Sequence, residues 1–137
     1  MTNAAYGTMP AVNQPSKATL WIGRVLSALP VLMLIMSASF KLAKVRAAVE
    51  GFKQFGWPEE LLVTLGIIEL SCAILYAIPA TSVLGAVLLT GYLGGAVATH
   101  FRVKDIQAIN AVVLGIVLWL GLFLREPRLR SLIPLRR

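Results

Sequence analysis

The residue best placed to do chemistry is Glu69, which lies near the middle of an almost continuous apolar run, residues 61–80. About 20 apolar residues are enough to cross a bilayer as a helix. An ionisable side chain at that depth costs at least about 2.5 to 3.5 kcal/mol on insertion scales, so it is expected to face protein rather than lipid. Such a carboxyl group can bind a ligand or relay a proton, or it can be a purely structural partner of a cation.

Three further residues are expected near Glu69. Lys41 lies near the end of the first apolar segment, His100 ends the third, and Tyr92 shares a polar helix face with His100. If the apolar segments alternate in direction, these residues and Glu69 occupy the same half of the molecule. We predict that Glu69 pairs with Lys41 or with His100, and that Lys41, Glu69, Tyr92 and His100 line a ligand-binding pocket. The sequence identifies no catalytic residue.

Long apolar segments must position these residues. The chain is 58% hydrophobic and 14% charged, against about 45–50% and 25% in soluble domains. The excess is concentrated in four segments, at residues 19–42, 61–80, 83–100 and 106–124. We therefore predict an all-α membrane protein with a four-transmembrane-helix bundle in residues 18–125. A flexible N-terminal segment (1–17) would precede it, and a basic tail (126–137) would follow.

A short amphipathic helix is predicted between the first two apolar segments, in residues 43–56. Apolar residues recur there at helical spacing, separated by charged residues, which is typical of a helix lying at a membrane interface. The apolar positions are Val45, Val49, Phe52 and Phe55. Gly56 and Pro58 would end this helix, with Trp57 between them as an interfacial anchor.

The basic residues indicate topology rather than nucleic-acid binding. The net charge is +7, but the cations flank apolar segments, as expected for contacts with lipid headgroups. Four crossings place both termini on one side, and residues 125–137 carry five arginines. The positive-inside rule therefore favours cytoplasmic termini in a multi-pass protein of the inner (plasma) membrane.

Residue counts also bound the chemistry. A single cysteine, Cys72, excludes an internal disulfide, and a single histidine, His100, excludes bis-histidine haem within one chain. We expect no haem and no metal site. Gly91 and Gly95 form a GxxxG spacing, which permits close helix approach either within the chain or between copies in a homo-oligomer.

These features together resemble the DoxX-like family of small four-helix bacterial membrane proteins, over residues 21–124. The resemblance rests on SASFKLAK (37–44), FGWPEEL (55–61), the long stretch 65–100 and the fourth apolar segment. It implies the four-helix fold. The family takes its name from a subunit linked to thiosulfate:quinone oxidoreduction, and related proteins resemble membrane partners in redox or sulfur-stress assemblies.

Two main functional hypotheses follow. In the first, the protein is a quinone-linked redox subunit: Lys41, Tyr92 and His100 bind the quinone carbonyls, Glu69 exchanges a proton, and a partner protein supplies electrons. In the second, the protein is not an enzyme and binds a small apolar ligand, a lipid or a partner protein, with the amphipathic segment regulating access. A transporter is a weaker third hypothesis, since four helices are few for a transport pathway.

Overall fold

The computed structural model describes residues 14–132, which form six α-helices and one 3-10 turn and include no β-strand. The helices are α1 (Lys17–Leu42), α2 (Arg46–Gln54), α3 (Leu61–Ala77), α4 (Ser82–Arg102), α5 (Ala108–Arg125) and α6 (Pro127–Leu132), with the 3-10 turn at Pro79–Thr81 between α3 and α4. The predicted all-α class is confirmed.

Four of these helices form a bundle. α1 packs against α3 and α5, and α4 packs against the same two helices. Because consecutive bundle helices run in opposite directions, the end of α1, the start of α3, the end of α4 and the start of α5 share one end of the bundle. We call this the loop end, because α2 lies there, and the opposite end the terminal end.

The outside of the bundle is apolar, as expected for a membrane protein. α1, residues 79–102 and α5 are long and apolar enough to cross a membrane, whereas α3 is apolar but has only 17 residues. Large apolar side chains point outward along all four helices; Leu32 of α1 and Ile116 of α5, for example, are 65% and 61% exposed. Lipid is the solvent that suits such a surface.

Several observed helix limits differ by a few residues from those of the predicted segments. α3 ends at Ala77, inside the apolar run 61–80, because Ile78 is extended, the conformation favoured before a proline. α2 begins at Arg46, three residues later than predicted, and a short helix, α6, occupies part of the tail. The predicted flexible segment falls mainly on residues 1–13, which lie outside the described residues, as do residues 133–137.

The terminal end of the bundle is closely packed around Tyr76. This side chain is fully buried. Its hydroxyl donates to the carbonyl oxygen of Leu118 at 2.7 Å and lies within hydrogen-bond distance of Oγ of Ser27, at 3.0 Å, joining α3 to α5 and α1. α4 approaches the α3 backbone here: a β-carbon on Gly85 would clash with the backbone nitrogen of Tyr76. The terminal end therefore fixes the helix arrangement, and the polar residues of the loop end are held relative to it.

Candidate functional site

An ion pair inside the bundle joins α1 to α3. The Nζ atom of Lys41 lies 2.7 Å from Oε2 of Glu69. Ser37, one turn before Lys41, accepts a hydrogen bond from Nζ at 2.7 Å and donates to Oε2 of Glu69 at 3.3 Å. Of the two partners proposed for Glu69 from the sequence, Lys41 is the one observed.

The pair is largely removed from solvent and lipid. Glu69 is 2% exposed, and the side chain of Lys41 is 17% exposed. A glycine makes the approach possible: a β-carbon on Gly66 would lie 3.1 Å from Cβ of Lys41, closer than side chains normally pack. Gly66 therefore lets the end of α1 lie against α3, one turn before Glu69.

A cavity of about 520 Å³ lies beside this pair, in the loop-end half of the bundle. Its walls are mainly apolar or small, with a few polar groups, which is the usual composition of a binding site for a small molecule. The polar and charged residues on its walls are Ser37, Lys41, Glu69, Tyr92, Thr99, His100, Gln107 and Asn110. All four residues proposed from the sequence thus line the same cavity.

Tyr92 of α4 lines the same cavity as Glu69. The phenol hydroxyl interacts with the Glu69 carboxylate, although it is not part of the tight Ser37–Lys41–Glu69 cluster. Tyr92 thus adds a hydroxyl group to the cavity wall beside the ion pair.

His100 pairs with Asp105 rather than with Glu69. Its Nδ1 atom lies 2.9 Å from Oδ2 of Asp105, which is half-buried in the loop after α4. Asp105 also accepts a hydrogen bond from the backbone N–H of Gln107 at 3.0 Å. This bond, followed by the bond from His100, lowers the pKa of the Asp105 carboxyl group below its usual value. His100 therefore lines the same cavity as Glu69 but is paired with a different acid.

The segment from α2 to Pro58 covers the loop end of the cavity. Phe52 is buried, and it lines the cavity together with Phe55 and Trp57. The ring of Phe55 meets the His100 ring edge-on, with centroids 4.8 Å apart. The guanidinium group of Arg102 donates a hydrogen bond to the backbone carbonyl of Phe55. These contacts attach the covering segment to the end of α4.

The GxxxG spacing does not mediate packing within the chain. A β-carbon on Gly91 or Gly95 would have no neighbour within 4 Å, so the interpretation as close intramolecular packing is wrong. Close approaches occur instead at Gly85 and Gly121, where a β-carbon would meet α3 and α1 respectively. Both Gly91 and Gly95 line the cavity.

Sequence reasoning missed the contacts of Asp105 and Arg102. An aspartate shortly before a helix often accepts a backbone N–H, so the spacing of Asp105 and Gln107 could have indicated the turn. The bond between Arg102 and the Phe55 carbonyl had no comparable indication, because it joins residues 47 positions apart.

Among residues 14–132, no three histidine, cysteine or acidic side chains come together as a potential metal site.

The fold and cavity define a small helical membrane protein with a partly polar interior. A family model described as the DoxX-like family matches residues 25–122, which is most of the chain. The chain therefore belongs to the DoxX-like family. No curated protein and no solved structure matches it.

Proposed function

We propose that α1, α3, α4 and α5 all cross the inner (plasma) membrane, with both termini in the cytoplasm. α3 is the shortest of the four, but its 17 residues extend about 25 Å at about 1.5 Å per residue. That length lies at the lower limit for a transmembrane helix. α3 also packs between two helices that are long enough to span. The arginine-rich terminal end supports the cytoplasmic assignment.

Within this membrane domain, the cavity binds a lipid-soluble molecule that carries a small polar head, and a quinone is the class that fits best. The observation that carries this proposal is the Lys41–Glu69 pair on the wall of a largely apolar cavity of about 520 Å³. A charged pair in the hydrocarbon region is expensive to maintain, and such residues commonly mark binding or proton-transfer sites.

The residues present fit a quinone. When bound, a quinone supplies two-electron, two-proton redox chemistry. The ammonium group of Lys41 and the hydroxyl group of Tyr92 are donors suited to carbonyl oxygens, and Asn110 adds an amide group to the wall. Glu69 holds or releases a proton at its carboxylate, and the apolar walls, including Leu65 and Leu114, exclude water.

The proposed redox role is taken from what the family resemblance implies, and the geometry itself carries no redox information. In this proposal the protein is the membrane subunit of a quinone-linked or sulfur-stress system, and a partner protein delivers electrons to the bound quinone. The bundle contributes the binding site and the proton-exchanging carboxyl group.

A second candidate is a binding protein without redox chemistry. The observation that favours it is the close mutual bonding of Ser37, Lys41 and Glu69, with Glu69 almost completely enclosed. In this case the cluster is a fixed polar anchor for the head of a small apolar ligand or lipid, and no proton is transferred.

Quinone binding can be measured on the protein in lipid nanodiscs, with a short-chain benzoquinone as the probe. Glu69→Gln removes the charge from the ion pair, and Glu60→Gln makes the same chemical change at an exposed residue just before α3. We expect the quinone dissociation constant to rise about tenfold or more in Glu69→Gln, equivalent to about 1.4 kcal/mol, and to stay unchanged in Glu60→Gln.

The result also separates the two candidates. Absence of quinone binding to the wild-type protein contradicts the quinone proposal. Equal affinity in wild type and Glu69→Gln shows that the ion pair is not part of the site. Tight binding without quinone reduction in membranes that retain the native partners supports the binding protein.

A further inference from the structure

The contact between α3 and α4 changes along its length. At the terminal end, Gly85 lies directly against the backbone of Tyr76. Two to three turns further along α4, Gly91, Gly94 and Gly95 are exposed, and a β-carbon on any of them would have no neighbour within 4 Å. This part of α4 is therefore open to the outside of the bundle.

The exposed part of α4 borders the cavity. Gly91 and Gly95 line the cavity, together with Leu65 and Glu69 of α3, whereas Gly94 does not line it. The glycines are thus part of a gap between α3 and α4 that leads to the ion pair.

A shallower groove continues from this gap to the loop end. It is lined by Gly56, Trp57, Pro58, Gly95, Ala98, Thr99 and Arg102. Three of these residues, Trp57, Gly95 and Thr99, also line the main cavity. Trp57 is 38% exposed, and tryptophan is enriched at the level of lipid headgroups. The groove therefore runs from the membrane interface into the bundle.

A route along the bundle axis passes the covering segment. The covering segment places Phe52 and Phe55 over the loop end, and Arg102 and His100 both contact Phe55. The gap opens at a different level. Gly95 lies seven residues before Arg102, the last residue of α4, or about 10 Å along the helix axis, so it faces acyl chains rather than water.

We propose that the ligand enters the cavity sideways from the bilayer, through the gap between α3 and α4 that is walled by Gly91 and Gly95. This inference rests on the proposed function, because it describes how the ligand of that site arrives. It also specifies the ligand class: an amphiphile that dissolves in the bilayer with its polar head at the interface. The head meets Trp57 and Arg102 first, and then moves past Gly95 to Lys41 and Glu69.

The route can be tested without any quinone. The protein in lipid nanodiscs is photolysed with a small alkyl diazirine that partitions into the bilayer, and adducts on Glu69 and Tyr92 are quantified by peptide mass spectrometry. Gly91→Leu/Gly95→Leu places two side chains in the gap. Gly94→Leu is the matched control, because Gly94 is equally exposed and unobstructed but does not line the cavity.

We expect adducts on Glu69 and Tyr92 to fall about tenfold in the double variant, because only a rarely populated conformation would still admit the reagent. Gly94→Leu should label like wild type. If the double variant does not fold, Gly95→Leu alone is used, and a reduction confined to that variant is again expected. Equal labelling of all folded variants overturns the proposal, as does failure of the wild-type cavity residues to label.

A charged, water-soluble diazirine tests the opposite route. We expect it to label Glu69 and Tyr92 less than the lipid-soluble reagent does, and equal or greater labelling overturns lateral entry. The outcome is distinguishable from failure of the proposed function. Quinone binding with unchanged labelling of the double variant rejects only the route, whereas reduced labelling without quinone binding rejects only the quinone.

Discussion

The ammonium group of Lys41, in the last turn of α1, contacts the carboxylate of Glu69, in the middle of α3, at 2.7 Å. The pair joins two neighbouring helices in the half of the bundle that contains the cavity, where few side chains fill the interior. Its contribution to stability therefore depends on which of the two charges is left without its partner.

Removing Lys41 is expected to destabilise the protein more than neutralising Glu69. Lys41→Met leaves a carboxylate that is 2% exposed without its cation, and breaking a buried pair in this way costs about 3–5 kcal/mol. Glu69→Gln leaves Lys41, whose partly exposed chain can reach a more polar region, so that a loss of about 1–2 kcal/mol is expected. Denaturant unfolding in mild detergent measures both.

The double variant Lys41→Met/Glu69→Gln is the control. It removes both charges, so it should recover much of the stability lost in Lys41→Met. A larger loss in Glu69→Gln than in Lys41→Met would contradict this account of the pair.

The ion pair could be predicted from the sequence because the reasoning required only helix order and depth. Alternating apolar segments place Lys41 and Glu69 at the same end of the bundle, and an intramembrane acid needs an interior partner. The choice between Lys41 and His100 could not be made, because the loop residue Asp105 competes for His100. Such competition depends on the three-dimensional path of a loop, which has no periodic sequence pattern.

The Tyr76 hydroxyl is expected to contribute measurably to the packing of the terminal end. Tyr76→Phe removes its bonds to the Leu118 carbonyl and to Ser27, and leaves the buried Ser27 hydroxyl without this partner. A loss of about 1–3 kcal/mol in unfolding free energy is expected. Ser39→Ala is the comparison, because the exposed Ser39 hydroxyl bonds within its own helix, to the Ile35 carbonyl; its loss should be smaller. Equal losses would show that burial of the hydroxyl is not decisive.

The glycines of α4 illustrate what sequence spacing cannot decide. A GxxxG spacing identifies a helix surface that another helix can approach closely, but it does not say which helix does so. In this protein Gly91 and Gly95 border a cavity, whereas Gly85 contacts α3. Glycine spacing is a property of one helix, whereas the close approach depends on how far two helices diverge. The actual contact therefore became visible only in the bundle.

Alanine substitution should separate these two kinds of glycine. Gly85→Ala creates a clash with the Tyr76 backbone, and overpacking of this kind costs about 1–3 kcal/mol. Gly94→Ala adds a methyl group in open space and removes the cost of glycine in a helix, so a gain of about 0.5–1 kcal/mol is expected. Thermal unfolding of the two variants in the same detergent is the measurement. A gain in Gly85→Ala would contradict the observed approach of α3 and α4.

The Asp105 carboxylate is expected to stabilise the loop after α4 except in acid. Its pKa is lowered in the folded protein by the backbone N–H of Gln107 and then by His100. A lowered pKa means that the unfolded chain binds the proton more readily. The stabilisation is therefore fully present above the ordinary aspartate pKa of about 3.9, and is lost as the pH falls through the lower folded value. Asp105→Asn removes this dependence. The melting temperatures of wild type and Asp105→Asn are compared from about pH 6 to about pH 3, in steps of about half a pH unit. The difference between them should shrink towards the acid end. A difference that stays constant over this range would show that the Asp105 charge does not support the fold.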